Sequence, residues 1–123
     1  MNNTLNIIAI VLFYIITIGT GYALHKKGKP FHPLLSAVHK LLALAVVVVT
    51  ILLVRSAFTD GLPSILSIVF LVVSLILLLS LFATGAMLSG EKEMPSIVLL
   101  LHDIATYAAP VTIAVTLFLM FKN

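Results

Sequence analysis

The chain has 123 residues, 62% of them hydrophobic and 9% charged, with a net charge of +3. A single small domain cannot hide that much apolar surface from water, so the composition specifies an integral membrane protein. The small positive charge, gathered mostly in one loop, reads as membrane orientation and not as a nucleic-acid footprint. The chain has no cysteine, which excludes disulfides, iron–sulfur clusters, thiolate zinc sites and covalently attached c-type haem.

Four apolar segments follow one another. The first, 5–24, is free of charge and long enough to cross a hydrocarbon core of about 30 Å. The tetrapeptide before it, Met1-Asn2-Asn3-Thr4, lacks the basic region of a cleaved signal peptide, so the segment is expected to be a retained span. Gly19, Thr20 and Gly21 lie in its second half. A basic loop, 25–33, carries His25, Lys26, Lys27, Lys29 and His32. The second segment, 34–54, starts after Pro33, which suits a first helical turn, and closes at Arg55. Its β-branched run Val46-Val47-Val48-Val49 is compatible with a helix in lipid, where the backbone has no other partner. The loop 56–63 holds the turn signal Asp60-Gly61.

The third segment, 64–88, ends in Phe82-Ala83-Thr84-Gly85-Ala86-Met87-Leu88. After the loop 89–95 the fourth segment, 96–121, contains Pro110. That proline frees a carbonyl and is expected to kink the helix, with Thr106 placed to help satisfy the freed group. Loops of under ten residues force antiparallel neighbours. The expected architecture is therefore all-α, a four-transmembrane-helix up-down bundle forming a single domain over 1–123. Lys26, Lys27, Lys29, Lys40 and Lys92 fall on one side and Arg55 and Lys122 on the other. The positive-inside rule thus places the basic loops in the cytoplasm and both termini outside.

Two histidines lie inside the spans, His39 in the second and His102 in the fourth. An ionisable side chain in a membrane span is expensive and is a functional candidate by default. A weak internal repeat relates the two. Thr20-Gly21-Tyr22-Ala23-Leu24 has a counterpart in Thr84-Gly85-Ala86-Met87-Leu88. Each is followed by a polar loop, a proline (Pro33, Pro95) and, six or seven residues on, a histidine. If the repeat is a real symmetry, the histidines face each other from diagonal helices at matching depth, about 9–10 Å of helix rise past each proline.

Diagonal axes in such a bundle stand about 12–14 Å apart, too far for two imidazoles to touch but wide enough for a flat group between them. A haem iron held by one imidazole on each face fits that gap. Gly19, Gly21 and Gly85 lie at similar depth and, together with Ala43, Ala105, Thr106 and Ala109, would clear room for the ring. Lys40 and the loop lysines are placed to meet the propionates. Asp103 follows His102 as Lys40 follows His39, and either pairs with Lys40 or takes up a proton. Ser36 and Thr106 are candidate partners for the ring N–H groups.

The four spans, the paired histidines and the phrases "FHPLLSAVHKLLALA" and "LLLHDIATYAAP" resemble small bacterial membrane b-type cytochromes. The resemblance implies one non-covalent haem b bound by His39 and His102, electron transfer with quinone or a redox partner protein, and a bacterial inner-membrane location. Better-known cytochromes of that kind carry further intramembrane histidines for a second haem, and this chain has no second pair. Two other readings stand beside it. One is a non-catalytic membrane subunit or scaffold, open to homo-oligomer formation, whose histidines and glycines only pack helices. The other is a divalent-metal site or carrier using His25, His32, His39 and Asp103. The bland expectations are that His25 and His32 are surface residues, that the lysines report topology or touch anionic lipid, that Tyr14 and Tyr107 lie within the bundle and that Tyr22 anchors at the interface.

Overall fold

The structure, a computed structural model, describes residues 3–122. Met1, Asn2 and Asn123, including half of the N-terminal tetrapeptide, lie outside the described residues. The described chain is all-helical: α1 (Asn3–Lys27), α2 (Pro33–Thr59), α3 (Ile65–Leu88) and α4 (Ser96–Lys122). Each helix is long and apolar enough to cross a membrane. A helix is the form that satisfies every backbone group without water, which is why such apolar runs fold this way in lipid.

The chain divides into two compact units, Met1–Ser56 and Ala57–Asn123. In the first, α1 and α2 form an antiparallel hairpin. The Ser56 hydroxyl at the end of α2 donates to Asn3 Oδ1 at the start of α1 (3.0 Å), while the start of α2 meets the end of α1 near Gly21. In the second, α3 and α4 do the same, with Ser74 and Thr116 hydroxyls 3.4 Å apart at one level and Thr84 bonded to α4 at another. The core of the second unit is partly polar: Ser67, Ser74, Thr84 and Thr116 are buried, as are Ala105, Ala109, Leu78, Val98, Ile113 and Leu117. Small side chains let helix backbones approach closely where lipid supplies no hydrophobic drive for association.

The helices outrun the apolar segments. Residues 25–27 belong to α1 and not to the basic loop, because cations suit the last turn of a helix, where they face the negative end of its dipole. The stop is Gly28, whose positive φ of 70° and N–H bond to the Leu24 carbonyl (3.0 Å) close α1. Likewise α2 passes through Arg55 to Thr59. Arginine is a good helix former, and the true breaker is Asp60-Gly61, with Gly61 at φ 140°. Ser64 is the N-cap of α3, its hydroxyl accepting the Ser67 N–H at 3.2 Å. Pro110 lies inside α4, which runs unbroken past it.

Candidate functional site

Each hairpin seats one imidazole against its neighbouring helix, and the two seats use the same residue types. In the first, the His39 ring crosses from α2 to α1. Its Nδ1 lies 3.0 Å from the Thr17 carbonyl oxygen and 3.0 Å from the Thr20 hydroxyl. A carbonyl only accepts, so Nδ1 carries the proton and donates. The Thr20 hydroxyl spends its own hydrogen on the Thr17 carbonyl (2.9 Å), leaving its oxygen as a second acceptor. In the neutral ring this tautomer leaves the lone pair on Nε2.

The second seat repeats the arrangement. His102 Nδ1 lies 2.8 Å from the Thr84 hydroxyl. That hydroxyl also lies 2.6 Å from the Ser80 carbonyl oxygen, to which it donates when the ring's Nδ1–H donates to it. In that tautomer the lone pair falls on Nε2, the nitrogen a metal would use while the other N–H is held by a supporting acceptor.

The glycines beside the threonines explain how the rings fit. A Cβ added at Gly21 would stand 3.0 Å from His39 Cε1, and one at Gly85 would stand 3.4 Å from His102 Cε1. Gly21 and Gly85 therefore let each imidazole lie against the backbone of the neighbouring helix. Gly19 differs: a Cβ there meets nothing within 4 Å, and the residue is exposed. Lys40 and Asp103, each following its histidine, are also exposed.

Thr17 and Thr20, not Ser36, meet the His39 ring, and Thr84 meets the His102 ring. Thr106 lies on the histidine's own helix and donates its hydroxyl to the His102 carbonyl (2.8 Å), and Ser36 lies on the helix that carries His39. The ring reaches across to the neighbouring helix, so its partner comes from there. The signal was present in the sequence: Thr20-Gly21 and Thr84-Gly85 are the repeated pairs, and the hydroxyl is as much part of the repeat as the glycine.

The remaining candidates have local roles. Around His102, Ala105 and Ala109 are buried, and Ala43 beside His39 is half-buried. His32 sits at the start of α2, where its Nδ1 accepts the Leu35 N–H in a long 3.5 Å contact, in the manner of an N-cap. His25 is exposed at the end of α1. Lys29 stacks its ammonium 5.8 Å from the Phe31 ring centroid. Tyr22 is exposed as expected and Tyr14 is half-buried. Tyr107 is exposed too, against expectation, because it lies on the face of α4 opposite Ala105 and Ala109. Among the described residues of either unit, no three His, Asp or Glu side chains gather as a metal-ion cluster. Compared with protein families, with curated proteins and with solved structures, the chain shows no match.

Proposed function

We propose that the chain is a membrane haem b protein in which His39 and His102 ligate one iron, acting as an electron carrier. The observation that carries this reading is the duplicated seat. Two intramembrane imidazoles, six and seven residues past a proline, each place Nδ1 against a threonine hydroxyl of the neighbouring helix, and at His39 the Thr17 carbonyl makes Nδ1 the donor and leaves the lone pair on Nε2. Metal-bound histidines use this arrangement, because the bonded N–H fixes the tautomer and the ring orientation. The absence of cysteine agrees with a non-covalent group. When bound, haem supplies one-electron chemistry, and the protein tunes it through ligand identity, burial and hydrogen bonding. In this reading the four spans form one up-down bundle, Gly19 leaves room beside the ring, and the lysines near the first loop meet the propionates. The basic loop faces the cytoplasm, the termini lie outside a bacterial inner membrane, and quinone or a redox protein exchanges the electron.

Protein purified in detergent from haem-replete cells tests this. The expected result is a Soret band that shifts on reduction and about one haem per chain. A colourless preparation overturns the proposal. One observation favours a second reading, a non-catalytic membrane subunit. The His39–Thr20 and His102–Thr84 bonds also clamp each hairpin, which is what histidines do when they serve packing alone. A colourless, metal-free protein is its signature.

A further inference from the structure

We infer that the chain self-associates in the membrane through the exposed faces of α2 and α4, with Lys40 of one copy meeting Asp103 of a second. This does not depend on whether the histidines hold haem. It starts from the distribution of charge. The first unit contains no carboxylate at all, and all four of the chain's Asp and Glu residues lie in the second. The inversion falls on equivalent positions of the repeat, since the residue after the seated histidine is Lys40 in α2 and Asp103 in α4.

Both charges stand on outward apolar stripes. Lys40 shares its face of α2 with Ala37, Leu41 and Leu44, and Asp103 its face of α4 with Leu100, Ile104 and Tyr107, all exposed. Each lies seven residues into its helix, counted from Pro33 and from Ser96, or about 10 Å of rise. The aspartate side chain is too short to reach the surface from there as lysine can by snorkelling. A carboxylate left facing hydrocarbon is costly, and such groups are normally paired.

Copies of one chain insert in one orientation, and by span count α2 and α4 enter the membrane from the same side. Lys40 and Asp103 of two copies therefore come to the same height with opposite sign. On that side the end of α1 and the loop after it carry Lys26, Lys27 and Lys29, while the loop between α3 and α4 carries Glu91, Lys92 and Glu93 and is negative on balance. Charge at equal depth thus selects a second copy as the occupant of these faces.

The test is subunit counting, by native mass spectrometry or single-molecule photobleaching, of the full chain in nanodiscs, where one copy weighs 13.2 kDa. Wild-type protein is expected to show more than one copy. K40D alone and D103K alone should each be monomeric, and the two variants mixed should associate with each other. The neutral variants K40Q and D103N, which disturb insertion less, should each weaken association at least tenfold. A monomeric wild type overturns the inference, as does unchanged association of the variants. Recovery only when both inversions are placed in one chain, and not on mixing, also overturns it, because the pair would then lie within a copy.

Discussion

The first hairpin and the second solve the same problem with different tolerance. Both seat an imidazole from the even helix against a Thr-Gly pair on the odd one, over sequence separations of 19 and 18 residues. The first seat is the tighter: the space a Cβ would need at Gly21 is already within 3.0 Å of the ring, against 3.4 Å at Gly85. Around the seats little else is shared. The second unit buries Ser67, Ser74, Thr84 and Thr116, and the first buries Asn6 and Thr50. The residue after the histidine is a cation in one and an anion in the other. At the seats the two hairpins share three residue types, His, Thr and Gly, and those three fix where the imidazole points. The lipid-facing positions and the polar contacts deeper in each hairpin are free to differ.

The largest expected effect comes from removing either ring. If both seats serve one iron, His39→Ala and His102→Ala should be equivalent despite the differences around them, each abolishing the low-spin spectrum. An absorption spectrum of either variant that matches wild type would break the equivalence. Next comes the difference in tightness. Gly21→Ala forces the His39 ring off its acceptors and is expected to cost about 1–3 kcal/mol, as overpacking does. Gly85→Ala meets ordinary contact and gains helix propensity, so it is expected to be neutral or to stabilise by up to about 1 kcal/mol. Unfolding midpoints in detergent measure both, and equal losses would show that the two seats are equally tight.

These comparisons also mark what the sequence made legible. Four spans, their order and their loops follow from apolar length and from Pro33, Asp60-Gly61 and Pro95. Helix ends were harder to read, because Lys26, Lys27 and Arg55 end the apolar pattern without ending the helix. His39 and His102 stood out for the cost of placing them in lipid. Their partners Thr20 and Thr84 did not, because they lie on other helices, out of reach of spacing along one helix. Within the repeat the threonines carry the contact and the glycines beside them make room for it.

A smaller effect is expected from Thr20→Val. It removes one acceptor, but the Thr17 carbonyl stays 3.0 Å from His39 Nδ1 and keeps the tautomer. The cost should be about 1 kcal/mol or less, read as a small drop in unfolding midpoint with little change in the visible spectrum. A loss of the chromophore in this variant would show that the hydroxyl, and not the carbonyl, orients the ring. The smallest change is expected from Ser74→Ala. Its contact with Thr116 is long, at 3.4 Å, and its hydroxyl also bonds the Phe70 carbonyl on its own helix. Interhelical hydrogen bonds of this kind contribute about 0.6 kcal/mol in membranes. A larger loss of stability would make the polar seam of the second hairpin, and not the seat, its main clamp.

The most direct single measurement is near-infrared magnetic circular dichroism of the oxidised, purified protein, which reports the identity of both axial ligands at once. If one iron joins the two seats, the charge-transfer band lies where two neutral imidazoles place it, with one haem per chain. A band characteristic of any other ligand pair, or no haem band at all, contradicts it.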